Sequence, residues 1–345
     1  MLDIFDQIPD GLLELESNQL FKLLKRPTLI HLKGDRQPPL FVSILLHGNE
    51  TTSWLAMREL LRKYDTQNSN KFLGKRLPRS LSIFIGNIEA ARYRQRHLAD
   101  QPDYNRIWQV GDSPEQIMAQ QVITEMRSRG VFASIDIHNN TGKNPYYGCI
   151  TRLDKHSLQL ARLFGKIIVH YTNPKTVQSY AFGDFCPAIV LECGQPDQID
   201  GTAHALEYLE TCLYLDSFDN LPDSAIADID LFHTVAIVKV PKHLNFSFTG
   251  EPNDDITFPV DMDRLNFCEL AIGTNFGKAK NNQACEKSYL SVLSEEGEEK
   301  GDRYFQIKNG EITLKTAVMP SMITLNTDII RQDCLCYLME RLPKP

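Results

Sequence analysis

At 345 residues, 42% hydrophobic and 23% charged, the chain is long enough to bury a sizeable core and reads as two domains rather than one. Its formal net charge of −7 argues against nucleic acid or an anionic membrane surface as the main partner. No stretch has the length and uniform apolarity of a transmembrane helix, and the opening Met1-Leu-Asp-Ile-Phe-Asp lacks a basic region followed by an apolar one, so the cytoplasm is the expected compartment. The eight cysteines are scattered rather than closely paired, which fits reduced thiols.

Strands are predicted at 28–32 and 41–46, and a helix at 53–64. Phe41, Val42, Ile44, Leu45 and Leu46 make a nearly continuous apolar run, the pattern of a strand covered on both faces in a parallel or mixed sheet. The run ends in His47, Gly48 and Glu50. Open α/β sheets bind ligands beyond the carboxyl ends of their strands, so this is a natural site position. An imidazole nitrogen and a hard carboxylate oxygen suit Zn²⁺, and Gly48 is expected to let the chain turn sharply between them.

A strand at 81–85 and a helix at 114–129 follow, then a strand at 132–137 that runs into His138 and the turn sequence Asn139-Asn140-Thr141-Gly142. His47, Glu50 and His138 together make the three-ligand set of a catalytic zinc, with the fourth position left to water. Asn139, Asn140 and Thr141 would contact substrate or satisfy the backbone of the turn. After a helix at 157–165 and a strand at 167–171, the run 188–192 ends in Glu192, a carboxylate placed to take a proton from attacking water and pass it on. His170 also closes an apolar run but reads as a hydrogen-bonded strand-end histidine, and His97 and His204 as surface residues. A helix at 201–218 completes an alternation that predicts an α/β domain with a mixed sheet.

Past 219–223 the texture changes to short β-type runs at 234–240, 289–292, 304–307 and 312–314, with Asn309-Gly310 as a hairpin signal. We therefore place a boundary near residue 220, giving a catalytic domain over 1–220 and a smaller β-rich domain over 221–345. The acidic run 295–299 reads as a solvated loop.

The motifs HGNE, DIHNNTG and LECG, in that order, resemble the zinc carboxypeptidase-like hydrolases, and especially their succinylglutamate desuccinylase/aspartoacylase branch. Residues 86–108 are similar to that branch's segment, which begins Gly-Asn-Pro-x-Ala and closes on Asp-Leu-Asn-Arg; here Ile88 and Tyr104 replace the Pro and the Leu, and the intervening stretch is longer. The resemblance implies that Asn105 and Arg106 hold a substrate carboxylate and that an earlier arginine, Arg92, Arg94 or Arg96, polarises the scissile carbonyl, with Arg96 the first choice. A guanidinium fork suits both tasks. The aspartoacylase branch also tends to place an arginine shortly before its catalytic glutamate. Residues 179–187 contain none, which argues against N-acetylaspartate itself; Lys175 and Arg152 are the alternatives.

The expectation is thus a hydrolase with one zinc per chain that cleaves an amide bond in a small carboxylate-bearing N-acyl amino acid. Its rivals are a carboxypeptidase or peptide amidase acting on a peptide end, and a metal-binding protein without chemistry. The sequence leaves a homo-oligomer open.

Overall fold

The computed structural model describes residues 2–64, 75–280 and 289–343. Two compact units divide them, one drawn from Met1–Asn140 and Tyr146–Asp230, the other from Thr141–Pro145 and Leu231–Pro343.

The first unit carries β1 (Asp3–Phe5), β2 (Thr28–Leu32), β3 (Leu40–Ile44), β4 (Leu81–Ile85), β5 (Ala133–His138), β6 (Tyr147–Ile150), β7 (Ile167–His170) and β8 (Ala188–Glu192). Within this unit they follow the order β1-β2-β4-β3-β5-β8-β6-β7. Strands β4, β3, β5 and β8 run parallel, while β2 pairs antiparallel with β4 and β6 with β8, so the sheet is mixed, as the alternation of elements predicts. Every residue of β3, β5 and β8 is buried, the condition under which a strand reads as an apolar run.

The helices are α1 (Thr52–Arg62), α2 (Ile88–Arg92), α3 (Pro114–Arg129), α4 (Lys155–Phe164), α5 (Gln178–Phe182) and α6 (Ile199–Tyr214). A capping box between Ser113 and Gln116, with Pro114 at the first helical position, starts α3. Met118, Val122 and Met126 on α3 share one cluster with Leu29, Phe41, Phe84, Trp108 and Phe182. Phe182 stacks on Phe41 at 4.4 Å. No helix among the described residues is long and apolar enough to cross a membrane, and no disulfide joins the described cysteines.

Among the predicted elements whose ends differ, two have a physical cause in the backbone around them. The strand expected over 41–46 stops at Ile44 because Leu45 takes a left-handed conformation (φ 52°), which apolarity does not reveal; Leu45 and Leu46 are nonetheless buried. The helix expected over 201–218 stops at Tyr214. There Arg36 donates to the carbonyls of Leu213 and Tyr214, Arg79 donates to those of Leu215 and Asp216, and Leu215 turns to extended backbone.

In the second unit, β9 (Asp230–Lys239) alternates buried and half-buried residues. The remaining strands are β10 (Phe246–Ser247), β11 (Ile256–Thr257), β12 (Asn275–Ala279), β13 (Ser291–Ser294), β14 (Phe305–Lys308), β15 (Glu311–Leu314), β16 (Met319–Ser321) and β17 (Cys336–Arg341); short helices α7 (Gly301–Tyr304) and α8 (Thr327–Gln332) lie among them. Strand β9 pairs antiparallel with β13 and β17, and β17 with β16. A separate sheet follows the order β10-β11-β12-β15-β14. Asn309 and Gly310 join β14 to β15 with φ of 53° and 80°, the left-handed pair that a two-residue hairpin needs.

Candidate active site

Three parallel neighbours of the first unit deliver the polar residues. In the ladder between β5 and β8, His138 lies opposite Glu192, and between β3 and β5, Ser43 lies opposite Asp136. Beyond β3 the left-handed Leu45 redirects the chain toward His47. The chain turns between His47 and Glu50 as expected, the N–H of Glu50 donating to the His47 carbonyl at 3.2 Å, and glycine is required at 48 for a further reason. A Cβ there would sit 2.2 Å from the backbone nitrogen of Ala91, so only glycine lets this loop lie against α2. Its N–H donates to the carbonyl of Arg96 at 3.1 Å.

His47, Glu50 and His138 are all buried, and one ligand atom from each lies within 4.8 Å of the others. The Glu50 carboxylate bridges the two rings: Oε1 is 2.8 Å from His47 Nδ1, and Oε2 is 2.8 Å from His138 Nδ1. The N–H of Asn139 also donates to Oε2, at 3.2 Å. Each ring's other nitrogen meets a further carboxylate. His47 Nε2 is 2.9 Å from Asp103 Oδ1, and His138 Nε2 is 2.8 Å from Asp136 Oδ2. Ser43 donates to the second oxygen of Asp136 at 2.7 Å.

Burial opposes charge in this cluster, yet pairing outweighs it. The two imidazoles hold the Glu50 carboxyl well below the usual carboxylate range, and Asp136 and Glu50 hold the His138 ring well above its ordinary value. The set fits a zinc ion. Two imidazole nitrogens and one hard oxygen converge, and with an ion bound the carboxylate beside each Nε2 would take that nitrogen's N–H, orient the ring and leave Nδ1 toward the shared centre.

Glu192, at the end of β8, is buried, and burial pushes its carboxyl up to about 7. The amide of Asn140 donates to its Oε2 at 3.3 Å. A carboxyl that titrates near neutrality is suited to both taking and returning a proton.

Among the three candidate arginines, Arg96 is the one drawn into this network, donating through Nε (3.2 Å) and Nη2 (2.8 Å) to Asp103 Oδ2. Arg92 lies over the ring of Phe21 and pairs with Glu89, and Arg94 is 3.9 Å from Asp197 with an exposed side chain. Asn105 is buried with Nδ2 3.4 Å from His138 Nε2, and its Oδ1 accepts from the N–H of Gln178 at 3.4 Å. Arg106 is half-buried, donates to its neighbour's carbonyl, the Asn105 oxygen, at 2.9 Å, and forms no ion pair with a described residue. His47, Arg96 and Arg106 outweigh burial and hold the Asp103 carboxyl far below the usual range.

Sequence reasoning gave no role to Asp103 or Asp136. The signal for Asp136 was present, because residues i and i+2 of a strand share a face and Asp136 precedes His138 by two. Asp103 stood inside the 86–108 motif, but its bond to His47 spans 56 positions. The alternatives to the missing arginine lie elsewhere: Lys175 is exposed with Nζ 5.9 Å from the Tyr180 ring centre, and Arg152 pairs with Asp184 at the surface.

No protein-family model and no curated protein sequence matches the chain. Solved structures do. Succinylglutamate desuccinylase from Chromobacterium violaceum is 17% identical, with a TM-score of 0.57 over 92% of this chain and 89% of that one. A succinylglutamate desuccinylase/aspartoacylase from Rhodobacter sphaeroides is 14% identical, with a TM-score of 0.58 over 90% and 88%. Murine aminoacylase 3 is 14% identical, with a TM-score of 0.55 over 89% and 97%. At such identities the likeness is one of fold. The chain has the α/β, mixed-sheet fold of the succinylglutamate desuccinylase/aspartoacylase structures, the same branch its motifs resemble.

Proposed function

We propose that the protein is a zinc-dependent hydrolase that removes the acyl group from a small, carboxylate-bearing N-acyl amino acid. The observation that carries this reading is the placement of Glu192 directly opposite His138 at the ends of adjacent parallel strands, with His47 and Glu50 converging on the same point. A purely structural metal has no use for such a carboxylate. The desuccinylase and aminoacylase structures that share the fold support the same reaction class.

His47, Glu50 and His138 would hold the zinc ion, which when bound supplies Lewis acidity toward a carbonyl oxygen and toward water. Glu192 takes the proton of the attacking water and returns it to the leaving nitrogen as the carbon–nitrogen bond breaks. Arg106 pairs with the substrate carboxylate, and Asn105, whose amide lies beside His138, helps to hold it. Arg96 is the residue assigned to the developing oxyanion, and to act there it must share its guanidinium with Asp103 or exchange partners. Asp103 and Asp136 keep the two imidazoles oriented.

A screen of N-succinyl-glutamate, N-acetyl amino acids and short peptides against the zinc-loaded protein, with product identification, tests the assignment. Blocked single amino acids should be cleaved faster than peptides with the same end group. Purified protein should hold about one divalent ion per chain and His138→Ala should lose it; full metal occupancy in that variant would overturn the site. The absence of an arginine from 179–187 favours a second reading, a peptidase acting on a peptide end, and a preference for longer peptides would select it.

A further inference from the structure

We propose that Asn140 is a positioning residue for the base: its side-chain amide holds Oε2 of Glu192, so that the other carboxylate oxygen is the one presented to the proton in transit. This rests on the proposed role of Glu192 in deacylation.

The turn after β5 is closed by backbone groups and by the Asn139 side chain. The N–H of Asn140 donates to the carbonyl of Gly194 at 3.0 Å, the N–H of Cys193 donates to the carbonyl of His138 at 3.0 Å, and Asn139 supplies a second donor to Gly194 through Nδ2 at 2.9 Å. Asn139 also fastens the loop to the start of α1: its Oδ1 accepts from the N–H of Thr52 at 3.2 Å, and its Nδ2 donates to Thr52 Oγ1 at 2.9 Å. The backbone of residue 140 is therefore fixed to the loop that follows Glu192. From that fixed point the amide reaches the Glu192 carboxylate at 3.3 Å, and both side chains are buried.

The residue type fits the task. A carboxylate that must accept and release a proton needs a neutral donor, because a lysine or arginine would tie it into an ion pair and an aspartate would set a second negative charge against it. Two adjacent asparagines thus divide the work, Asn139 holding the ligand Glu50 through its N–H and Asn140 holding the base through its amide.

Two double-mutant cycles test the proposal, one in catalysis and one in stability. Asn140→Ala should retain its metal, leave KM within about threefold, and lower kcat roughly 10- to 100-fold, the usual scale for losing an outer partner of a site. Asn140→Thr, which keeps a donor, should recover part of that loss. In a Glu192→Ala background the further change Asn140→Ala should have almost no effect on kcat, because Asn140 acts through Glu192. In urea unfolding at pH 8, the effects of Asn140→Ala and Glu192→Ala should be non-additive, a readout that needs no turnover. Additive losses in either cycle, wild-type kcat in Asn140→Ala, or loss of metal from that variant would overturn the proposal. If the wild type turns over nothing in the substrate screen, the deacylase reading falls, and the unfolding cycle still decides whether 140 and 192 are coupled.

Discussion

Asp136 and His138, two residues apart on β5, share one face of the strand, and the carboxylate of the first lies 2.8 Å from the Nε2 of the second. The strand itself therefore carries both a proposed metal ligand and the group that orients it. Replacing Asp136 by Asn keeps the volume and removes the charge-assisted bond. We expect Asp136→Asn to weaken zinc affinity about 10- to 100-fold, measured by competition with a chelator, while the unfolding transition remains cooperative. An unchanged affinity would mean that the ring is held by packing alone.

The proposed base is tested most directly by Glu192→Gln, which is nearly isosteric. Metal content should stay near that of the wild type while kcat falls by roughly 100- to 10,000-fold, the contribution usual for a general acid/base. Unchanged turnover would remove Glu192 from the mechanism.

The burial of Glu192 also has a consequence for stability. Its carboxyl is pushed up to about 7 from an ordinary 4.5, so between those pH values the folded protein binds this proton more fully than the unfolded chain does. Stability then falls as pH rises through the window, and the contribution is flat below and above it. The shift corresponds to a cost on the order of 3 kcal/mol at high pH. In chelator-treated protein, Glu192→Gln should be more stabilising relative to wild type at pH 8 than at pH 5, read from urea midpoints. Equal differences at the two pH values would contradict the raised carboxyl.

Arg106 lies close enough for Asp103 to feel its charge but forms no ion pair with a described carboxylate, which makes it the candidate for a substrate carboxylate. Arg106→Ala should lower kcat/KM for an acidic substrate by about 2 to 4 kcal/mol, the scale for truncating one partner of a desolvated charged pair. The neutral amide of the same substrate should lose far less. Equal losses for acid and amide would assign Arg106 to structure.

The chain order of residue types was enough to determine several things about this protein. Buried strands of an α/β sheet are largely apolar on both faces, so a titratable residue at the point where such a run gives way to turn-forming residues marks its end. His47, His138 and Glu192 stand out for that reason, and Glu50 follows from its spacing to His47. The Asn309-Gly310 hairpin was legible because few residues tolerate two consecutive left-handed positions. Other features depend on distances between segments far apart in the chain. The sheet order β4-β3-β5-β8, which brings three strand ends together, has no local pattern. The left-handed Leu45 lies inside an unbroken apolar run, because hydrophobicity reports burial and not backbone angle. Gly48 is required by the approach of α2, some forty residues on. Only tertiary structure decided that Asp103 would divide its oxygens between His47 and Arg96, and that Asn140 would turn toward Glu192 across 52 positions. Side-chain pairing of this kind follows from where the backbone has already been fixed, and the sequence names the partners without saying which of them meet.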